Sequence, residues 1–358
     1  MSSTVTQKAL VLPALGEHYA VADISIHAPG PGEVLVKIES TGLNPIDWKM
    51  LTTYSASIYS FPFVAGHEAS GTVVEVGPQV DSLAVGDIIV FQGGFSLRRA
   101  TFQQYCVVPV VHAAKVPSNV SPDEAATVAE GLMTALVGLY NTTAELNGKS
   151  LSLPPPWSPE GATKYIGQPV FILGGASSVG QNAIQVAKLA GHSPIITTAS
   201  LHNAAFLQSL GATHVLDRRL SDDAILAELR TLTDSGAPLS LAYDAIALPE
   251  TQPVAYRALA EGGRLVVVLP EQIPQEVKTP GDGKTVVFPF GHVCGPGNSE
   301  FGAEVFARLF DWLEKGVIKP NKVEILPNGL AGIPGGLARM EANKTSAVKL
   351  IAHPQETL

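Results

Sequence analysis

The chain has 358 residues, enough for two domains at about 150 residues each, and carries 23 Lys and Arg against 32 Asp and Glu, a net charge of −9. That balance excludes nucleic acid and an anionic membrane as main partners, since both demand a basic face. A content of 46% hydrophobic and 15% charged residues excludes general disorder, and two cysteines, Cys106 and Cys294, build neither a disulfide framework nor a four-thiolate zinc site.

Residues 1–8 lack the basic end and apolar core of a signal peptide, and the run Ala9–Leu12 is cut short by Pro13. No apolar stretch reaches the roughly 18 residues of a membrane span. A soluble, cytoplasmic protein is expected. Strand candidates follow at Glu33–Ile38, Gly71–Gly77, Gly86–Phe91 and Tyr105–Val108, punctuated by Gly and Pro. This spacing predicts a compact antiparallel barrel. Ser121-Pro122-Asp123-Glu124 reads as an N-cap, a proline at N1 and first-turn acids, opening a helix over Ala125–Gly138. The segment Gly148–Pro169, with four prolines around Trp157, predicts an extended loop.

From Val170 the pattern alternates. Strands are predicted at Val170–Leu173, Ile195–Ala199, His214–Leu216, Leu239–Tyr243 and Arg264–Leu269. Helices are predicted between and after them at Gln181–Ala190, His202–Leu210, Asp222–Leu232 and Pro249–Ala260. Repeated βα units imply right-handed crossovers and a doubly wound parallel sheet. After about residue 290 the alternation stops; an amphipathic helix over Ala303–Lys315 and a last strand, Ala347–Ala352, are expected to return to the first domain. The predicted protein is thus α/β, with a discontinuous substrate domain (1–125 and 290–358) and a Rossmann NADP-binding domain (126–289).

The strongest chemical signal is Phe171-Ile-Leu-Gly174-Gly175-Ala176-Ser177-Ser178-Val179-Gly180, a hydrophobic strand running through a small-residue turn into a helix. Such a turn directs N–H groups and a helix dipole at one spot, where a pyrophosphate can sit. Gly175 and Gly180 match the first and last glycines of the dinucleotide fingerprint, and Ser177 stands for the middle one. The competing reading is an ordinary tight βα turn. Roughly 20 residues on, where an NAD protein places an acid for the ribose 2′-OH, Ile195–Asn203 holds none. It offers Ser200 and His202, with Arg218 after the next strand, a hydroxyl and a cation suited to the 2′-phosphate of NADPH. Against this stands Ser200 as a plain helix cap and Arg218 as a solvated charge.

Gly66-His67-Glu68, Asn44-Pro45-x-Asp47-x-Lys49-Met50 and Gly131-x-x-Thr134-Ala135, with the downstream βαβ signature, resemble the medium-chain dehydrogenase/reductase superfamily over essentially the full chain. The resemblance implies a GroES-like barrel beside the Rossmann domain. In the superfamily's zinc alcohol dehydrogenases, cysteines and a histidine bind the metal; here Asn44 and Glu130 stand at the cysteine positions, and no catalytic metal is expected. With the Pro-rich insertion, Ser200-x-His202-Asn203 and Ser346-x-x-Lys349-Leu350, the chain is similar to fungal trans-acting enoyl reductases that serve polyketide synthases. The chain departs from them at Arg218, often Tyr, and at Gly66-His67-Glu68.

By this resemblance Lys49 and Thr134 are catalytic, holding the substrate carbonyl or the nicotinamide edge. Asp47, Ala176–Val179, Ser200, Asn203, Arg218, Val268, Leu269, Thr345 and Ser346 would surround NADPH, and Asn44, His67, Glu130, Met133 and Phe290 are placed at the substrate. The implied reaction moves a hydride from NADPH to the β-carbon of a free or carrier-bound unsaturated carbonyl compound. Quinone reduction is an alternative, as is zinc alcohol dehydrogenase activity. A further alternative is a non-catalytic NADPH-binding partner subunit, with Trp157 as its docking knob. A monomer is expected over a dimer, because Pro270, Glu271 and Pro274 follow Leu265–Leu269, read as the sheet's last strand.

Overall fold

In the computed structural model the run Ala9–Leu12 is the buried end of a strand, β1 (Thr6–Leu12). The structure describes residues 5–14, 16–52, 60–143, 149–233 and 239–358, with the backbone alone for 50–52. Gly148, at the head of the predicted loop, and the side chain of Met50 lie outside the described residues. The chain divides into two units, Met1–Glu130 with Gly302–Leu358, and Gly131–Phe301. These junctions fall later than the predicted 125/126 and 289/290. Both lie inside helices, where composition carries no boundary signal.

The first unit continues through β2 (Ala20–Ser25), β3 (Glu33–Gly42), α1 (Pro45–Thr52), β4 (Phe63–Val64), β5 (Glu68–Val76), β6 (Ile88–Gln92), β7 (Tyr105–Pro109) and β8 (Ala113–Lys115). Every pairing among these strands is antiparallel. The buried side chains of β3 (Val34, Val36, Ile38) meet Ala69 and Val73 of β5 and Ile89 and Phe91 of β6. Burying a large side chain of this kind stabilises the fold by about 1.5–3 kcal/mol.

A capping box opens α2 (Pro122–Ala125): Ser121 Oγ accepts from the Glu124 N–H, and Glu124 Oε2 accepts from the Ser121 N–H at 2.9 Å. The helix predicted over Ala125–Gly138 is interrupted here. Thr127 donates its hydroxyl to the Glu124 carbonyl at 2.7 Å and accepts the Asn321 N–H at 2.9 Å, so the chain turns before α3 (Ala129–Tyr140) begins.

The second unit holds the parallel sheet. Its elements are β9 (Val170–Leu173), α4 (Ser178–Leu189), β10 (Ile195–Ala199), α5 (Ala204–Leu210), β11 (His214–Asp217), α6 (Asp222–Leu232), β12 (Leu239–Asp244), α7 (Gln252–Ala258), β13 (Leu259–Val267) and β14 (Thr285–Val287). The order β11-β10-β9-β12-β13-β14 reverses direction beside β9, the switch point at which such sheets bind ligands. The predicted strand Arg264–Leu269 starts earlier and ends at Val267, and β14 pairs along it from Arg264↔Thr285 to Val266↔Val287. The expectation that Leu265–Leu269 forms the sheet edge is therefore corrected: β14 is the edge on that side, and β11 the edge on the other.

The Pro-rich segment carries no helix or strand among its described residues. Trp157 packs on Tyr140 and Phe301 of the same unit, with ring centroids 6.1 and 6.2 Å away. Trp157 is thus half-buried against its own unit.

The tail forms α8 (Ser299–Glu314), β15 (Lys322–Ile325), α9 (Ile333–Glu341) and β16 (Val348–Ala352). β16 pairs antiparallel with β3 through Ile351↔Gly42 and parallel with β15, so the tail completes the first unit's large sheet. Among the described residues no helix is long and apolar enough to cross a membrane.

Candidate active site

The βα turn of the second unit is built as the glycine pattern predicts. Gly174 adopts a positive φ of 75°, open to glycine at little cost, and its N–H donates to Thr198 Oγ1 at 3.1 Å. A Cβ on Gly175 would strike the Thr197 hydroxyl, and one on Gly180 would strike the Gly174 carbonyl oxygen, so α4 approaches β9 at a distance no side chain tolerates. Ser177 caps α4 by accepting the Gly180 N–H at 3.0 Å, which aims the helix's first turn and positive dipole end out of the switch point. Ala176, Ser178 and Val179 complete this turn, which fits the pyrophosphate of a nicotinamide dinucleotide.

Arg218 and Ser200 are brought together across 18 residues, with Arg218 Nε donating to Ser200 Oγ at 3.0 Å. Ser200 stands at the N-cap of a short 3-10 turn over Leu201–Asn203 and makes no side-chain cap bond. Its hydroxyl serves the guanidinium instead. His202 is exposed beside it and Asn203 is buried. Val268 and Leu269, just past β13, pack partly buried against the core of this unit.

The first unit assembles a buried polar cluster that composition alone does not announce. Asp47 is wholly buried on α1; one oxygen accepts the Asn44 N–H at 2.7 Å, and the other meets His67 Nδ1 at 2.7 Å and the Gly66 N–H at 3.2 Å. The expected cofactor contact of Asp47 gives way to this inward role, because its carboxylate is enclosed by its own unit. Glu68, also wholly buried, receives the Lys349 ammonium at 2.5 Å and the Asn44 carboxamide N–H at 2.9 Å on one oxygen. Its other oxygen accepts the Glu130 N–H at 3.0 Å. Lys349 donates as well to Asn44 Oδ1 at 2.5 Å, and Gln92 donates to Glu130 Oε2 at 2.6 Å. Burial, reinforced by the Glu68 charge, pushes the Glu130 carboxyl well above the usual carboxylate range.

Asn44, His67, Glu68 and Glu130, which the sequence offered as a group, therefore do come together, joined by Gln92 and Lys349, which sequence reasoning did not place at a site. A lysine in the middle of an apolar strand was the available signal for Lys349. Lys49 is half-buried, 5.4 Å over the Trp48 ring, and its ammonium pKa is lowered by burial. Thr134 lies within α3, and its carbonyl accepts the Tyr243 hydroxyl at 3.0 Å. Met133 is buried beside it and Phe290 is partly exposed. In the first unit Thr345 is half-buried and Ser346 exposed, just before β16.

Comparison with known proteins bears on both units. Residues 30–118 match the family described as alcohol dehydrogenase GroES-like domain, and residues 178–279 match the zinc-binding dehydrogenase family. A zinc-type alcohol dehydrogenase-like protein of Schizosaccharomyces pombe is 31% identical, with 96% of this chain and 99% of that one aligned. A trans-enoyl reductase of Alternaria alternata is also 31% identical, over 97% and 98% of the two chains, and one of Gibberella zeae is 31% identical over 89% of each. The crystal structure of an alcohol dehydrogenase superfamily protein from Novosphingobium aromaticivorans superposes with a TM-score of 0.76 at 24% identity, covering 96% and 99% of the chains, a likeness of fold.

The zinc in two of these names does not fit the donors present here. Asn44 and Glu68 direct oxygens at the Lys349 ammonium, so a tethered cation already satisfies them, and a carboxamide is a poor zinc ligand. Among the described residues no three His, Cys, Asp or Glu side chains are grouped to hold a metal ion. With near-complete alignment to relatives at 31% identity, the chain belongs to the medium-chain dehydrogenase/reductase superfamily.

Proposed function

We propose that the protein is an NADPH-dependent reductase of the C=C bond in α,β-unsaturated carbonyl compounds, either enoyl thioesters or enones. The observation that carries this reading is the Lys349 ammonium seated on Asn44 and Glu68, which turns a family metal site into a closed ion cluster. Similarity to fungal trans-enoyl reductases over most of the chain supports the same reading. A bound reduced nicotinamide supplies a hydride for the β-carbon. The chain's own task is then to hold the carbonyl and stabilise the negative charge that gathers on its oxygen. Lys49 and Thr134 are the donors for that oxygen. Arg218 and Ser200 hold the 2′-phosphate, which favours NADPH over NADH. The protein is proposed to work as a cytoplasmic monomer, on a substrate delivered by a polyketide synthase or free in solution.

The test is NADPH consumption with a crotonyl thioester, an enone and a quinone, each with a chelator present. Turnover of the thioester or enone, undiminished by the chelator, is expected. Turnover of the quinone alone, or activity abolished by chelation, would overturn the reading.

A further inference from the structure

The Lys349 ammonium does more than close a cluster, because of where its two acceptors lie in the chain. Glu68 Oε1, at 2.5 Å, belongs to the first residue of β5. Asn44 Oδ1, also at 2.5 Å, belongs to the residue just before α1, the helix that carries Lys49. The Asn44 carboxamide has one orientation that serves both neighbours. Its N–H donates to Glu68 Oε1 at 2.9 Å, which turns its oxygen to the cation.

The first turn of α1 is fixed by the same residues. The Asn44 N–H donates to Asp47 Oδ2 at 2.7 Å, and the Asp47 N–H donates back to the Asn44 carbonyl at 3.0 Å. The other Asp47 oxygen accepts the Gly66 N–H at 3.2 Å and meets His67 Nδ1 at 2.7 Å. The Leu43 N–H donates to the carbonyl of Leu350, the neighbour of Lys349, at 3.0 Å. Asn44, Asp47, Glu68 and Lys349 are each no more than 4% exposed, so water does not replace a lost partner here. Without the ammonium, Asn44 Oδ1 and Glu68 Oε1 are two buried oxygens with no cation between them. Relief comes from a shift of Asn44, to which the first turn of α1 is tied.

We infer that Lys349 is a positioning residue of the reductase: its ammonium, seated between Asn44 and Glu68, sets the placement of α1 and through it the Lys49 donor. Lys49 lies two residues past Asp47 on that helix. A displacement of about 1 Å at a reacting group lowers turnover about 10²-fold. The inference rests on the proposed role of Lys49, and its test separates positioning from the stability that Lys349 also supplies.

Two variants carry that test. Lys349→Met with Glu68→Gln removes both the cation and the charge it neutralises, so the fold is kept while Asn44 Oδ1 loses its partner. Its kcat should fall about 10²-fold, with NADPH affinity by calorimetry nearly unchanged. Lys349→Ala instead leaves room for n-propylammonium, which matches the lysine side chain beyond Cβ. That ion should restore part of kcat where tetramethylammonium does not. One readout needs no turnover: the indole N–H resonance of Trp48, the residue before Lys49 on α1, assigned by its loss in Trp48→Phe. It should shift in both variants and move back toward the parent position when n-propylammonium is added to Lys349→Ala. A double variant with parent-like kcat, or an unmoved Trp48 resonance, would overturn the role and leave Lys349 to stability alone. So would n-propylammonium that raises the melting temperature of Lys349→Ala but leaves its kcat low. A parent protein that reduces none of the acceptors removes the proposed activity, while the Trp48 resonance still reports whether Lys349 sets α1.

Discussion

Lys349 and Arg218 carry single positive charges in opposite settings, and their removal should read out differently. Lys349 is buried at 3% exposure and neutralises the fully enclosed Glu68. Lys349→Met strands a buried carboxylate, and breaking a pair of this kind costs about 3–5 kcal/mol, so urea unfolding should shift by that much. Adding Glu68→Gln should recover most of the loss; a double variant no better than the single one would mean that packing, not charge, holds the cluster. Arg218 is exposed and tethered by Ser200. Loss of a charge-assisted bond worth about 1.5–3 kcal/mol should make Arg218→Ala bind NADPH about 10- to 100-fold more weakly by calorimetry, with NADH nearly unchanged. Much of the Arg218 environment was legible in the sequence, because the missing acid, the hydroxyl and the cation lie within one βαβ stretch. The cation that closes the cluster around Glu68 was not. Lys349 and Asn44 stand 305 residues apart, and nothing local in either segment announces the pairing.

At the scale of elements, local signals served where the chain's own periodicity decides structure. α6 and the strands β9 and β10 match their predicted limits. They fared worse where a distant partner intervenes, as at Thr127, whose bond to Asn321 splits the helix predicted over Ala125–Gly138. α9 escaped notice because Pro334, Gly335 and Gly336 crowd its first turns with residues that usually end helices. The chain end is fastened to the barrel by another distant contact. His353 Nε2 lies 2.8 Å from Asp123 Oδ1 of α2 and its Nδ1 lies 3.1 Å from Glu356 Oε1, while Ser40 of β3 donates to the same Asp123 oxygen. Burial works against the imidazolium, but the bonds and charges of Asp123 and Glu356 outweigh it and raise its pKa above the ordinary 6.5. A raised folded pKa gives stability that is complete below the unfolded value and lost as pH rises through the folded one. For a partly exposed pair the effect is about 1 kcal/mol or less. Urea midpoints should therefore fall slightly as pH climbs above the histidine range, and Asp123→Asn should flatten that slope. A slope unchanged in the variant would remove His353 as its source.

For the whole molecule, the two-unit order with a returning tail was readable from the alternation of elements, since a parallel sheet needs its helices at regular intervals. The composition of the sheet's edge was not, because β14 is three residues long and carries no periodicity of its own. Its presence changes the reasoning on assembly without reversing it. Were β13 the edge, its run Leu265-Val-Val-Val268 would offer a long apolar ladder to a second copy. β14 covers that ladder from Arg264 to Val266 and leaves an edge that is short, with Pro289 soon after it. Lys284, just before the strand, is drawn back onto its own unit, donating to the Tyr256 carbonyl at 3.1 Å with its ammonium 4.5 Å from the Tyr256 ring. So brief an edge supplies too few ladder bonds to hold two sheets in register, and strand pairing there is disfavoured. Light scattering behind size exclusion should accordingly return the mass of one chain, 37.4 kDa. A dimer that persists on dilution but dissociates when Val286 is replaced by Pro would place the subunit contact on β14 after all, and would show that a short edge is no barrier in this sheet.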